Sequence, residues 1–433
     1  MVYNAFKYFN SLSPLNKFYQ KKMYNTVFYI FIGIILFDFV LERTIDYLNS
    51  RLWSDELPEE VRDVYDSEKY RKSQEYKKIN DKFSILTSSF NLVLILLMLF
   101  SGGFAFVDSI SKNLVQNSIA ITLVFFAILM FCSDVINTPF AVYDTFVIEE
   151  KFGFNKTTPK IFIMDKLKGW VLSAIIGGGL LTLFVLFYQA TGKLFWIYAW
   201  IVSSAFMVFM VMFYSTLIVP IFNKQMPLEE GELKDAIKEF AQKAGFKLDN
   251  VFVIDGSKRS SKANAYFSGL GSKKRIVLFD TLINDLTTEE IVAVLAHEIG
   301  HYKKKHTLTA MIISIIQTGI TLYLLSLFIG SPALSQALGA KSTSFHMGLI
   351  AFGLLYSPIS AIIGLLMNAV SRKNEYEADS YTKSFNLGEQ LISSLKKLSR
   401  NNLSNLTPHP AYVFFHCSHP TLLQRIQAIR MYS

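Results

Sequence analysis

The stretch Val294-Leu295-Ala296-His297-Glu298-Ile299-Gly300-His301 lies in a helix-forming run that starts near Thr288. It contains the pattern H-E-x-x-H. Each residue of an α-helix advances by about 100°, so His297 and His301 should lie about 40° apart on one face. Two imidazoles in that position can bind one metal ion, and Glu298 between them can reach a water molecule bound to it. The pattern is typical of zinc metalloproteases, which use two His ligands and a carboxylate base.

A five-residue pattern also arises by chance, and the alternative is two hydrogen-bonded histidines on an ordinary amphipathic helix. The surrounding run is mostly apolar, with Ile291, Val292 and Leu295 among its members. A buried helix that carries two His and a Glu must satisfy or neutralise them. This context favours a metal site.

Catalytic zinc sites usually have three protein ligands and leave one position open. The stretch 374–379, NEYEAD, offers the best third ligand. Glu375 and Asp379 are four residues apart and share a helix face, so Glu375 is the predicted ligand and Asp379 the predicted acceptor for a ligand histidine. Glu377 should point about 200° away from Glu375 and be solvated.

The composition indicates a polytopic membrane protein. The 433 residues are 51% hydrophobic and only 18% charged, against about 25% charged in soluble domains. The formal net charge of +9 is typical of basic cytoplasmic loops and does not predict nucleic-acid binding. The two cysteines, Cys132 and Cys417, exclude a disulfide scaffold and a cysteine metal site.

Apolar runs long enough to span a bilayer, about 20 residues each, occur at seven places. They are roughly 23–41, 84–107, 118–143, 169–190, 194–222, 307–330 and 345–370. Asp134 interrupts the third run, and its charge should face protein or water rather than lipid. It predicts either a polar contact between helices or the wall of a wet cavity.

The loops on one side of the predicted spans are much richer in Lys and Arg than those on the other side. The exception on the poorer side is the N-terminal segment, which contains several lysines. The positive-inside rule places that side, with the H-E-x-x-H helix, in the cytoplasm. The predicted division is residues 1–222 for spans 1–5 with their loops, 223–305 for a small α/β insert that includes this helix, 306–370 for spans 6 and 7, and 371–433 for a C-terminal segment with the third ligand.

The α/β insert should contain a helix over 232–245 and strands near 251–254, 264–269 and 275–279. Thr287 and Glu290 form a capping box ahead of the histidine helix. An edge strand can pair with an extended peptide and place it over the metal. The polar pair Ser260-Ser261 and Asn264 favour this interpretation over a purely structural hairpin, and Asn264 and Ala265 are the predicted substrate-binding residues.

The C-terminal segment contains His419 and Arg425. His419-Pro420 can start a helix that places Arg425 on its second turn, and near zinc the two side chains would stabilise an oxyanion. The alternative is an ordinary turn and helix. His306 should lie about 140° around the helix from His301 and is not a predicted ligand.

With these motifs in hand, the sequence resembles the integral-membrane CAAX prenyl endopeptidases of type 1 over nearly its whole length. The matching stretches are 146–154 (FVIEEKFGF), 256–268 (GSKRSSKANAYFS), 275–282 (RIVLFDTL), 371–379 and 416–426. The stretch between Leu282 and Thr287 is very short where animal members carry a long charged insertion, which indicates a compact, prokaryotic-type member.

The resemblance implies seven transmembrane helices around a large water-filled chamber, with one Zn²⁺ per chain at its cytoplasmic end. It implies His297, His301 and Glu375 as ligands, Glu298 as the base, and His419, Arg425 and Asn264 as contacts to the substrate or transition state. The implied reaction is removal of the last three residues of a prenylated C-a-a-X protein.

Two alternatives remain. One is a quality-control protease that cleaves unfolded or misfolded membrane proteins. The other is a non-enzymatic transporter with a vestigial metal site. The expected location is a bacterial inner membrane, or the endoplasmic reticulum membrane if the protein is eukaryotic.

Overall fold

Long helices form most of the chain in a computed structural model, which describes residues 24–53, 56, 59, 62–246, 251–269 and 275–431. The predicted division covers the whole chain, so parts of it lie outside the described residues, namely 1–23, 54–55, 57–58, 60–61, 247–250, 270–274 and 432–433. The helices in chain order are α1 (Thr26–Ser50), α2 (Ser67–Phe100), α3 (Gly103–Leu114), α4 (Ser118–Tyr143), α5 (Glu150–Phe152), α6 (Pro159–Thr191), α7 (Phe195–Leu217), α8 (Val219–Phe222), α9 (Glu232–Lys243), α10 (Asp280–Asp285), α11 (Thr288–Lys303), α12 (His306–Phe328), α13 (Pro332–Ala337), α14 (Phe345–Lys383), α15 (Gly388–Asn401), α16 (Pro410–His416) and α17 (Leu422–Met431). A π-helical turn at Asp144–Glu149 joins α4 to α5.

Seven of the described helices have at least 23 residues, and each overlaps one of the seven predicted apolar runs: α1, α2, α4, α6, α7, α12 and α14. The predicted run 84–107 is wrong at its end, because α2 stops at Phe100 and α3 begins at Gly103. Five stretches of the described chain are long and apolar enough to cross a membrane, and one of them, 159–222, contains both α6 and α7. Helix α1 is not among the five because Asp38, Glu42 and Arg43 interrupt its apolar sequence. The class, a mainly α polytopic membrane protein with a small sheet, is confirmed, whereas the count of seven spans stays a prediction.

The apolar helices are sparsely packed. Only 6% to 22% of the residues in each apolar window are buried within the protein. Helices of a closely packed bundle would each bury a continuous stripe against their neighbours. The unburied apolar surface is available to lipid or to a chamber between the helices, so the chamber stays a prediction.

Asp134 makes the polar contact between helices that was one of its two predicted roles. Lys166 on α6 donates to both carboxylate oxygens at 2.7 and 2.8 Å, and the indole of Trp170 donates at 3.1 Å. The Asp134 side chain remains 35% exposed. The ion pair therefore joins α4 to α6 while one side of the carboxylate stays open.

The α/β insert has the three predicted strands, β2 (Val251–Ile254), β3 (Ala265–Ser268) and β4 (Arg275–Phe279). It also has β1 (Gln225–Pro227), which the sequence analysis missed because three residues that include a proline carry no alternating pattern. The strand order is β1-β2-β4-β3, with β2 parallel to β4 and the other pairs antiparallel. Within the described ranges, β3 is therefore an edge strand.

The two faces of the sheet pack against different parts of the protein, because side chains alternate along each strand. Val251, Ile276 and Leu278 pack toward α9 and α11 in the largest core cluster. Ile254 and Val277 face the other way and pack with Val219 at the end of the α7–α8 span. The sheet thus lies between the histidine helix and the membrane helices.

Candidate metal centre

Two helices bring the three predicted ligands together. His297 and His301 lie on α11, and Glu375 lies on α14. The two Nε2 atoms are 3.1 Å apart, and they lie 3.4 Å (His297) and 3.3 Å (His301) from the Glu375 carboxylate oxygens. Ligands bound at 2.0–2.1 Å in a tetrahedral site are separated by about 3.3 Å. The three side chains therefore already have the spacing of a tetrahedral metal site.

The chemistry of these atoms also fits a cation. Glu375 is 4% exposed, and its Oε2 has no hydrogen-bond donor. A buried carboxylate oxygen without a donor is costly. A metal ion between the carboxylate and the two imidazoles would satisfy all three side chains, so they fit a metal with mixed nitrogen and oxygen ligands.

Asp379 lies behind the first ligand, as the four-residue spacing predicts. Its Oδ1 is 2.9 Å from Nδ1 of His297, on the side of the ring away from the metal position. Burial alone would lower the pKa of the His297 imidazole, but its contacts with Asp379 and Glu375 outweigh burial and raise that pKa to about 9. A metal-binding histidine commonly donates its other N–H to such an acceptor, which orients the ring.

Arg425 is also buried at the centre, with 8% of its surface exposed. Its guanidinium donates two hydrogen bonds to Asp379, at 2.9 and 2.6 Å, and Nη1 lies 3.4 Å from Glu375. Burial opposes the charge of Arg425, but the hydrogen bonds to Asp379 and the negative charges of Asp379, Glu375 and Glu298 outweigh burial and raise the pKa of the guanidinium. Arg425 thus fixes the position of Asp379, which in turn orients the ring of His297.

The predicted start of the last helix was wrong by about two residues. Helix α17 begins at Leu422, because Thr421 and Gln424 exchange hydrogen bonds as a capping pair and Pro420 precedes them. Arg425 therefore lies in the first turn rather than the second. His419 lies before the helix, with its Nε2 3.4 Å from Glu375 and its side chain 63% exposed.

Glu298 follows His297 directly on α11 and is only partly buried. Its charge is one of the carboxylate charges that raise the pKa of Arg425. Glu298 is the residue of the H-E-x-x-H pattern that is predicted to reach a water molecule. The structure thus brings together His297, His301, Glu375, Glu298, Asp379, His419 and Arg425.

His306 is a neighbour of the centre that the sequence analysis placed wrongly. The angle of 140° assumed one continuous helix, but α11 ends at Lys303 and Lys305 has a left-handed backbone (φ 61°). This break turns His306 back, so that its Nδ1 lies 2.9 Å from Nδ1 of His301. Its Nε2 lies 3.2 Å from Glu377, which is therefore not simply solvated. If Nε2 of His301 binds a metal, its Nδ1 carries the proton and donates a hydrogen bond to Nδ1 of His306.

Gly300 also contributes to the centre, although its role was not predicted from the sequence. A Cβ at this position would lie 3.2 Å from the Cα and carbonyl oxygen of Ala378 and from the Cβ of Tyr381. The absent side chain lets α11 and α14 approach closely between the two histidines. A glycine inside a helix does not by itself predict a close approach, because the contact depends on which helix packs against it.

We expect Gly300→Val to lower metal affinity and peptidase activity at least about tenfold, because the new side chain pushes Glu375 away from the imidazoles. Gly353→Val on α14 is the matched control, since nothing lies within 4 Å of its Cβ position. Both variants replace a helical glycine with valine, so they change helix propensity alike. The control should therefore bind metal with nearly the affinity of the unsubstituted protein. Metal titration of both variants measures this, and equal affinities would contradict the role of the close approach.

Asn264 and Ala265 stand at the start of the edge strand. The Asn264 side chain is exposed, and its Oδ1 accepts from the Ala265 N–H at 2.8 Å. The outer edge of β3 has no partner strand in the part of the chain that the structure describes. Its backbone groups are therefore available to an extended peptide.

The polar pair that precedes this strand has a structural contact. Ser260 bridges to Asn155, and the Ser261 N–H donates to the carbonyl of Phe154 at 3.0 Å. Lys262 extends this clamp, since its ammonium lies 2.8 Å from Glu149 and 4.4 Å from the Phe154 ring centroid. The clamp fixes the start of β3 to the loop that follows α5 and to Glu149 in the π-helical turn.

The comparisons with known proteins agree with this geometry. Residues 46–224 match the family described as CAAX prenyl protease N-terminal, five membrane helices, and residues 227–433 match peptidase family M48. The chain is 36% identical to a CAAX prenyl protease 1 homolog of Dictyostelium discoideum, over 92% of this chain and 95% of that protein. It is 35% identical to CAAX prenyl protease 1 of Saccharomyces cerevisiae, with coverages of 92% and 94%. The crystal structure of S. mikatae Ste24p is similar with a TM-score of 0.87 and 34% identity, over 94% of this chain and 99% of that chain.

Proposed function

The chain belongs to the CAAX prenyl protease 1 family of M48 metallopeptidases, and on that premise we propose that it removes the C-terminal tripeptide from prenylated C-a-a-X proteins. We further propose zinc as its metal, one ion per chain, bound by His297, His301 and Glu375. Two imidazoles and one carboxylate are a common ligand set of catalytic zinc and leave a fourth position open.

Bound zinc would supply a Lewis acid and bring the pKa of a water molecule toward about 7. Glu298 then accepts a proton from the attacking water and passes it to the leaving amine. Asp379 holds His297 in the required tautomer. The role of Asp379 is supported by its contact of 2.9 Å with Nδ1 of His297, and that of Glu298 by its place next to His297 on α11.

His419 and Arg425 are the proposed oxyanion contacts. His419 is the more accessible of the two, so its imidazole can approach a substrate carbonyl from the open side. Arg425 is held by Asp379 through Nε and Nη2, which leaves Nη1 on the side of Glu375. A fixed positive charge on the side of Glu375 would stabilise negative charge that develops on the carbonyl oxygen of the substrate.

The peptide is proposed to add to the outer edge of β3 as an extended strand, with Asn264 and Ala265 as its contacts. Backbone hydrogen bonds provide the affinity in this mode of binding, and pockets for alternate side chains provide the specificity. The exposed Asn264 amide and the unpaired edge support it. The clamp around Lys262 would keep the edge at a constant distance from the metal.

The proposed location is the endoplasmic reticulum membrane, because similar proteins come from the eukaryotes Dictyostelium discoideum and Saccharomyces cerevisiae. This replaces the prokaryotic-type member that the short stretch after Leu282 indicated. The metal centre is proposed to face the cytoplasm, at the end of a chamber enclosed by seven helices. The proposed units remain 1–222, 223–305, 306–370 and 371–433. The basic loops on the side of the metal centre support this orientation.

The observation that carries the proposal is the close approach of three side chains from two helices of a family M48 chain. The two histidine Nε2 atoms are 3.1 Å apart, and each lies 3.3 or 3.4 Å from one carboxylate oxygen of Glu375. We expect the purified protein in lipid nanodiscs to shorten a farnesylated C-a-a-X peptide by three residues. A chelator should stop the reaction and added zinc should restore it. Mass spectrometry of the products measures both effects.

An unmodified unfolded polypeptide offered beside the farnesylated peptide tests the quality-control alternative. Cleavage of this polypeptide at many sites, with the farnesylated peptide left intact, would contradict the proposed substrate. A purified protein without stoichiometric metal would instead favour the non-enzymatic alternative.

A further inference from the structure

A cleft of about 730 Å³ lies between the sheet and the end of the α7–α8 span. One wall consists of membrane-helix residues, among them Met210, Tyr214 and Phe222. Tyr214 is 47% exposed, so this wall is open at the surface. Pockets for small ligands commonly have volumes of about 300–1,000 Å³, so the cleft can hold a ligand or a ligand side chain.

The opposite wall is the sheet face that points away from α11. Ile254 on β2, Phe279 on β4 and Tyr266 on β3 lie on this face of the sheet, and all three line the cleft. Asp, Glu, Lys and Arg are absent from the described residues that line it. An apolar, partly aromatic lining without charges favours a hydrocarbon occupant over an ion, a phosphate or a lipid headgroup.

The cleft adjoins the proposed peptide site at two points. Asn264, which immediately precedes the edge strand, lines the cleft. Thr307 lines it from the first turn of α12 and follows His306, whose ring contacts His301. A side group of a peptide on β3 could therefore enter the cleft while the peptide backbone stays at the metal centre.

We propose that this cleft binds the isoprenoid chain of the substrate, an inference that rests on the proposed function. The ends of α7 and α12 place it at the boundary of two apolar helices, where a lipid-anchored chain would arrive from the bilayer. The isoprenoid is an apolar hydrocarbon chain that offers no hydrogen-bond donor or acceptor, so an uncharged apolar cleft can bury it without an unsatisfied polar group. The cleft thus determines the preference for prenylated over unmodified cysteine.

The first test compares one C-a-a-X peptide with its cysteine either farnesylated or S-methylated. Met210→Trp should fill the cleft and lower the ratio of kcat/KM for the farnesylated to the methylated peptide about tenfold. Met212→Trp is the matched control on the same helix, because Met212 does not line the cleft, and its ratio should stay unchanged. An unchanged ratio in Met210→Trp, or an equal fall in both variants, would overturn the proposal.

A second measurement does not depend on the folding of a cleft variant. The Glu298→Gln protein, incubated with a C-a-a-X peptide that carries a photoreactive isoprenoid analogue, should be labelled within 210–222 or 254–279. Labelling only at other helices would place the isoprenoid elsewhere. If the unsubstituted protein cleaves neither peptide, the proposed function fails; if it cleaves both at equal rates, only the assignment of the cleft fails.

Discussion

We expect Glu298→Gln to lower kcat by about two to four orders of magnitude while the protein keeps one zinc ion per chain. Glutamine has nearly the shape of glutamate, but it cannot accept the proton of the attacking water. Glu298 is not one of the three ligand positions, so its loss leaves the metal-binding geometry intact. Cleavage of the farnesylated peptide and the zinc content of the same sample measure the two effects.

Glu289→Gln is the control for this change, because Glu289 lies on the same helix and is exposed in its first turn. It should cleave at close to the rate of the unsubstituted protein. A Glu298→Gln protein that cleaves equally well would refute the assignment of the base. Loss of zinc from this variant would instead mean that Glu298 supports the ligands.

Asp379→Asn should have a large effect on both stability and metal binding. The carboxylate pairs with buried Arg425 at 2.6 Å and with His297 at 2.9 Å. Removing one partner of a buried ion pair typically costs about 3–5 kcal/mol, and loss of an acceptor behind a ligand histidine weakens metal affinity about 10–100-fold. Thermal unfolding and zinc titration measure these two losses separately.

A second substitution distinguishes the two roles of Asp379. Arg425→Met combined with Asp379→Asn removes the unpaired charge, so part of the stability should return while zinc affinity stays low. Asp235→Asn, at an exposed position of α9, is the control and should change neither quantity. Zinc affinity within twofold of the unsubstituted protein in Asp379→Asn would contradict the orienting role.

Much of the local structure could be predicted because it depends on neighbouring residues. The capping box of Thr287 and Glu290 predicts the start of α11, and both of its hydrogen bonds are present. Three strands follow from alternation and β-branched composition. The pairing of Glu375 with Asp379 follows from one turn of helix, and both side chains face the centre.

Other features could not be predicted, because they depend on residues far apart in the chain or on a local break. The turn at Lys305 brings His306 against His301, and no periodic pattern marks a left-handed residue that is not glycine. The contact of Arg425 with Asp379 spans 46 positions. The sheet–helix cleft exists only because strands and membrane helices meet.

The amino-acid sequence alone determined the chemistry of this protein: which side chains can bind zinc, how two of them share a helix face, and which runs can cross a membrane. These properties depend on residues within one or two helical turns, where the backbone geometry is known in advance. Only the tertiary structure decided that Glu375 lies within 3.4 Å of both imidazoles. That distance results from the packing of α11 against α14 at Gly300, and packing between distant segments is not encoded in local spacing.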